Sequence, residues 1–231
     1  MTSKNLFDMA QNQAAPSVKL VITGISGSGK STLFEKLVRK DSAEWVFLFC
    51  HKDGDMARRF KVRACFDEWQ LIEATARGGI VIFDYRKMFP GDAAAGFDWF
   101  CRWLWAVKGE LPGRKIFGAD ELDALVDSKS EPESLCLILD QGRTFEIECL
   151  FIAHAMNGVH NQVRKQFTEI FVMLQGDKNG LVWLQERGFD VGEIAGLRHG
   201  EWLYLNRNNG QKARGGSAFV PKNSGRNLKG L

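Results

Sequence analysis

What this chain has little of narrows it first. No stretch of its 231 residues approaches the ~18 uninterrupted apolar positions of a membrane-spanning helix, so no membrane span is expected. The five cysteines, Cys50, Cys65, Cys101, Cys136 and Cys149, are odd in number and scattered through apolar runs. That pattern argues against a disulfide frame or a zinc site and suits reduced, buried thiols in a cytosolic setting. Residues 1–17 are polar with no hydrophobic stretch, so they read as a flexible lead-in without a secretory signal. Net charge is small, +3 from 31 basic and 28 acidic residues, and by itself does not argue for nucleic acid. The shortage of acid is local: Arg207–Leu231 holds six Lys/Arg and no Asp or Glu. With its Gly, Asn and Ser, residues 207–231 read as a flexible basic tail, either touching DNA or merely solubilising. No internal repeat is visible.

What is present centres on Lys19–Leu37, KLVITGISGSGKSTLFEKL. An apolar strand pattern (Leu20, Val21, Ile22) runs into a glycine-rich turn and then into helical spacing at Leu33, Phe34 and Leu37. Gly24, Gly29, Lys30 and Ser31 fit G-x-x-x-x-G-K-[ST] in the strand-to-helix context that the phosphate loop requires. Backbone N–H groups across Ser26, Gly27, Ser28, Gly29, Lys30, Ser31 and Thr32 would wrap phosphate oxygens, and the helix start favours the anion. Lys30 would reach the outer phosphates and Ser31 would hold Mg²⁺. The ligands expected are therefore a nucleoside triphosphate, taken as ATP, and Mg²⁺.

Further along, short apolar runs predict strands at Trp45–Cys50, Ile80–Phe83, Lys115–Asp120, Glu148–Ala153 and Ile170–Leu174, with a final edge strand at Trp202–Asn206. Helical spacing is expected over Asp67–Arg77, Phe97–Val107, Glu133–Arg143 and Asn161–Phe167. Strands separated by helices make an α/β fold with a mostly parallel central sheet flanked by helices, of the P-loop NTPase (ASCE/RecA-like) class. Phe97–Val107 carries three tryptophans and two phenylalanines. It reads as a helix buried on both sides, with a subunit or membrane contact as the other possibility.

A phosphate loop needs a carboxylate for magnesium and, for hydrolysis, a base for water. Asp84 and Asp120 both end apolar strands. The adjacent pair Asp120-Glu121 serves both needs, Asp120 toward the metal and Glu121 toward water, and is preferred; Asp84 is left to cap the next segment. An acidic strand separated in sequence from the phosphate loop by intervening strands suits ATPases that couple hydrolysis to movement.

Downstream, Gln141-Gly142-Arg143 leads into EIECLFIAHAMNGVHNQVRKQFTEIFVML. This resembles the FtsK–HerA superfamily, and VIFDYRKMFPG, GFDWFCRW and KIFGADEL resemble its genome-packaging ATPases of tailless, membrane-containing icosahedral viruses. The resemblance spans about residues 18–206, the expected ATPase domain. It implies Arg143 as a trans-acting arginine finger, with Arg86 as competitor. It also puts a sensor at His154, where the family more often has glutamine, with Asn157 sharing that role. His160 and Arg164 would face a subunit boundary or DNA. Implied partners are double-stranded DNA, touched by Lys52, Arg58, Arg59 and the tail, further copies in a ring homo-oligomer, and capsid or portal-vertex proteins. The implied activity is DNA translocation that packages a viral genome into a preformed capsid, in the virion and host cytoplasm. The alternatives are a monomeric P-loop nucleotide or metabolite kinase and a filamentous-phage-type assembly ATPase.

Overall fold

The computed structural model describes residues 18–52, 54–126, 129 and 132–216. The lead-in 1–17 and the tail beyond 216 lie outside the described residues. The chain opens with β1 (Lys19–Thr23) and α1 (Lys30–Lys40), whose Leu33, Phe34, Leu37 and Val38 form the buried stripe. Arg39 and Lys40 in the last turn complement the helix dipole. Next come β2 (Trp45–Cys50), α2 (Asp55–Phe60), α3 (Glu68–Arg77) and β3 (Gly79–Asp84). Asp67 caps α3 by accepting from the Gln70 N–H at 3.0 Å. After them come α4 (Ala93–Val107), β4 (Lys115–Ala119), α5 (Leu122–Leu125), α6 (Glu133–Gln141) and β5 (Ile147–Ala153). The chain continues through α7 (Asn161–Gln166), β6 (Glu169–Met173), α8 (Lys178–Gln185) and α9 (Val191–Ala195) to β7 (Glu201–Asn206) and β8 (Lys212–Gly216).

The strands form one sheet of order β3-β2-β4-β5-β1-β6-β7-β8. From β3 through β6 every pairing is parallel; β6–β7 and β7–β8 are antiparallel. Alternate strand residues feed the two faces. Leu20, Ile22, Val46 and Leu48 pack with α1 and α2, while Val21, Phe47 and Phe49 pack with α4 and α6. The expected α/β fold with a mostly parallel, helix-flanked sheet is the fold observed.

Four local expectations are corrected. Trp202–Asn206 is not the edge, because β8 pairs outside it. The basic arm expected from Arg207 is ordered through Gly216: Lys212–Gly216 is that strand, and Trp202 Nε1 donates to Gly216 O at 2.8 Å. The helix expected to run to Arg143 ends at Gln141, and Gly142–Phe145 tightens into a 3₁₀ turn. The aromatic helix α4 is buried along one broad face rather than on both sides. Phe97 stacks on Phe117 at 5.9 Å and Phe100 on Phe83 at 5.2 Å. Arg102 turns outward to pair with Asp98 at 2.8 Å. Those rings are core, each fully buried one contributing about 1.5–3 kcal/mol. All five cysteines are buried, and none of them is joined in a disulfide.

Candidate nucleotide site

The parallel strands end together, and the loops that follow β1, β2, β4 and β5 converge over the carboxyl edge of the sheet. The loop after β1 is held from behind by Ile25 N–H on Leu174 O at 2.8 Å and by Gly200 N–H on Ser28 O at 3.0 Å. It closes at Gly29, whose φ of 105° a residue with a Cβ adopts only under strain, directly ahead of α1. Ser26, Gly27, Gly29, Lys30, Ser31 and Thr32 line one wall of a cleft of about 260 Å³. Asp120, His154, Lys52, Arg59 and His199 complete it. Gly24 and Ser28, expected in the cradle, sit behind this wall. Gly24 offers its carbonyl to Lys30, and Ser28 is 2% exposed with its Oγ buried and without a hydrogen-bond partner.

Strand order separates the two candidate aspartates. β5 alone separates β4 from β1, so Asp120 comes over the start of α1, and Ser31 Oγ donates to Asp120 Oδ2 at 3.4 Å. Asp84 ends β3 at the far edge of the sheet, fully buried, and Arg86 closes on it with Nε on Oδ1 at 2.8 Å and a second ion pair to Oδ2. Arg86 is thereby committed to Asp84.

A hydrogen-bonded chain crosses the cleft. Lys30 Nζ donates to Gly24 O at 2.7 Å and Ile25 O at 2.8 Å, and lies 3.1 Å from His154 Nδ1. His154 Nε2 lies 3.1 Å from Glu121 Oε1. An ammonium can only donate, so Nδ1 must accept and Nε2 must carry the proton toward the carboxylate. This assigns one neutral tautomer to His154. The backbone N–H groups of His154 and Ala155 are held by Asp123 at 3.0 and 3.2 Å. Gln175 reaches both Thr23 Oγ1 and His154 O at 3.4 Å.

Burial, opposed chiefly by Asp120, lowers the Lys30 pKa to about 8. Burial also pushes the Asp120 carboxyl up. Burial acts the same way on Glu121, but hydrogen bonds from Lys52 and His154 prevail and leave its pKa below the usual carboxylate value. Glu121 therefore stays ionised. Its backbone is left-handed (φ 56°, ψ 48°), a conformation uncommon outside glycine and turned by its own N–H on Asp120 Oδ1 at 2.8 Å.

Other predicted residues are placed elsewhere. Arg143 lies on the turn before β5, at the opposite edge of the sheet, beside a separate hollow with Lys108 and Lys115. Asn157 is exposed on the turn Met156–Gly158 and does not line the cleft. His160 caps α7 by accepting from the Gln162 N–H at 3.4 Å. Arg58 is exposed, whereas Lys52 and Arg59 line the cleft itself. Asp123, Gln175, His51 and His199 were not singled out by sequence. Asp123, two positions past Glu121, and His51, next to Lys52, each had a singled-out neighbour; Gln175 and His199 had none.

No known family model matches the chain, and no curated protein does. Solved structures do resemble it. The genome-packaging NTPase B204 of Sulfolobus turreted icosahedral virus 2, in complex with AMP, superposes with a TM-score of 0.65 at 16% identity, over 86% of this chain and 96% of that one. The DNA-packaging ATPase B204 of Sulfolobus turreted icosahedral virus gives 0.67 at 16% identity, over 87% and 97%. VirB4 of Thermoanaerobacter pseudethanolicus gives 0.63 at 10% identity, over 88% and 90%. At these identities the likeness establishes the fold, which is that of the genome-packaging ATPases and of VirB4.

Proposed function

We propose that this chain is an ATP-hydrolysing, double-stranded DNA translocase that packages a viral genome into a preformed capsid, working as a ring of identical copies. The observation that supports it most is the cleft in which Lys30 and Ser31 face Asp120 across the sheet edge, with Glu121 behind it, joined to the cleft through His154. The packaging reading itself rests on the sequence resemblance and on what the B204 structures are described as doing.

Magnesium fits the donors present. Ser31 and Asp120 offer hard oxygens side by side. Among the described residues, no three His, Cys, Asp or Glu gather as an all-protein cage, which suits an ion completed by phosphates and water. When bound, it would neutralise charge on the phosphates. The protein's own residues do the rest. Loop N–H groups and the start of α1 hold the triphosphate, and Lys30 leaves the Gly24 and Ile25 carbonyls for the phosphates. Glu121 orients a water and takes its proton as the water oxygen bonds the terminal phosphorus and the bridging bond to ADP breaks. His154 links Lys30 to Glu121, so phosphate position and base position are sensed together.

Arg143 lies far from its own cleft and would serve a neighbour's, which requires the ring. The site would operate at the packaging vertex of the virion and in the host cytoplasm. Among the described residues no helix is long and apolar enough to cross a membrane.

The test is ATP turnover with and without duplex DNA at several protein concentrations. Turnover should rise with DNA and with concentration, and the DNA effect should fade with salt because phosphate contacts release counterions. Turnover indifferent to both, or phosphoryl transfer to a small acceptor, would overturn the reading.

A further inference from the structure

Glu121 is over-occupied for a residue whose task is to receive a proton from water. Lys52 Nζ forms an ion pair with its Oε1, His154 Nε2 lies 3.1 Å from the same oxygen, and His51 Nε2 stands 3.4 Å from Oε2. Oε1 is therefore held twice, Oε2 has the His51 ring beside it, and the side chain is only 14% exposed. Two of these neighbours come from one place. β2 lies beside β4 in the sheet, so His51 and Lys52, just past its end, meet Glu121, just past the end of β4. His51 is fixed there, its ring stacked on Tyr85 at 6.4 Å and 13°. Lys52 is different: its side chain is 55% exposed and lines the same cleft as Lys30 and Ser31.

Resting on the ATPase reading above, we propose that Lys52 is a terminal-phosphate contact that holds Glu121 while the cleft is empty and releases it when a nucleoside triphosphate arrives. The ammonium is a point charge on a four-carbon stem, free to turn from a single carboxylate to a terminal phosphate carrying more charge. The exchange opens to water the position on Oε1 that Lys52 held, while His154 keeps its own bond to that oxygen, and it does so only when that phosphate is present. A diphosphate leaves Lys52 on Glu121, so the base is withheld from water after product forms. The pairing supports the ammonium form, since the Glu121 bond raises the Lys52 pKa. Duplex DNA, the partner expected for Lys52 from sequence, would offer phosphates too; that Lys52 lines the same cleft as Lys30, Ser31 and Asp120 favours the triphosphate.

The experiment measures binding of ADP and of a non-hydrolysable ATP analogue, with Mg²⁺, to wild type, Lys52→Gln, Glu121→Gln and the double variant. Circular dichroism confirms folding in each case. Lys52→Gln should weaken the ATP analogue on the order of tenfold, as for loss of a charge-assisted bond, and leave ADP within about twofold. Glu121→Gln frees the ammonium in advance and should tighten the analogue by about three- to fivefold, the scale of a partly exposed ion pair. That gain should vanish in the double variant. Equal loss of ADP and ATP analogue in Lys52→Gln, or a tightening in Glu121→Gln that survives the loss of Lys52, overturns the proposal. So does a Lys52→Gln variant that loses duplex binding while keeping its triphosphate preference. If wild type binds neither nucleotide, the ATPase reading itself has failed, a result separate from these.

Discussion

Ser31 and Asp120, separated by 89 positions in the chain, meet at 3.4 Å over the carboxyl edge of the sheet, hydroxyl to carboxylate. Asp120→Asn keeps the shape and an acceptor for Ser31 but removes the charge that a magnesium ion needs. Nucleotide binding in EDTA should be unchanged, and the gain on adding Mg²⁺ should fall by at least about tenfold. Fluorescent-nucleotide titration with and without the metal checks it. An asparagine variant with the full magnesium response would move the metal ligand elsewhere.

Lys30 gives a proton-linkage prediction. In the empty cleft burial lowers its pKa to about 8, and a bound triphosphate must raise it by favouring the ammonium. Near pH 8 a substantial fraction of Lys30 is neutral before binding and charged afterwards, so binding takes up protons. Calorimetry in buffers of different ionisation enthalpy should show that uptake, with affinity declining as pH climbs above 8. Proton release on binding near pH 8, or binding with no proton uptake there, would contradict it.

His154 bridges Lys30 and Glu121 as an acceptor on one side and a donor on the other. A glutamine amide offers the same order, Oε1 to the lysine and Nε2–H to the glutamate. His154→Gln should therefore keep most turnover, while His154→Ala should lose about 10²-fold, comparable to removing one positioned donor. Equal losses in both variants would mean the ring acts through packing alone.

How much of this was legible depended on distance along the chain. The phosphate loop was readable because β1, the turn and α1 are contiguous, so strand, glycines, Lys30 and helix declare each other. The preference for Asp120 over Asp84 rested on an adjacent glutamate; the physical reason is strand order, which places β3 at the far edge and β4 one strand from β1. That His51 and Lys52 would meet Glu121 was hidden. His51 and Lys52 lie some seventy positions earlier, and only side-by-side β2 and β4 bring them together. The end of the chain misled for a different reason. Lys212–Gly216 is basic and glycine-rich, the composition of a loose arm, yet its backbone pairs with β7.

Gly215 shows why glycine stands in that strand. A Cβ there would lie 2.5 Å from Trp202 Cζ2, and Trp202 is fully buried. Gly215→Val should therefore force the indole or the strand aside and cost about 1–3 kcal/mol, as overpacking does. For a chain of this size that is roughly 2–12 °C in Tm, read by thermal unfolding. An unchanged Tm would mean β8 contributes little to the fold.

Arg143 cannot act in its own subunit if it acts on phosphate at all. β1 and β5 run parallel, with Lys19 opposite Cys149 and Thr23 opposite Ala153. The turn before β5 therefore lies at the end of the sheet away from the phosphate loop. A finger role then requires a neighbour, and it separates two defects that a mixed assembly can complement. Arg143→Ala alone should lose about 10³-fold or more in turnover, the scale of an arginine finger, while still binding nucleotide. Lys30→Ala alone should fail to bind. In mixed rings, an Arg143→Ala subunit keeps an intact cleft and a Lys30→Ala subunit keeps an intact arginine, so part of the turnover should return. Size-exclusion chromatography with differently tagged chains verifies mixing. Verified mixed rings without recovery would place Arg143 outside the chemistry and leave it a surface residue of the 142–145 turn.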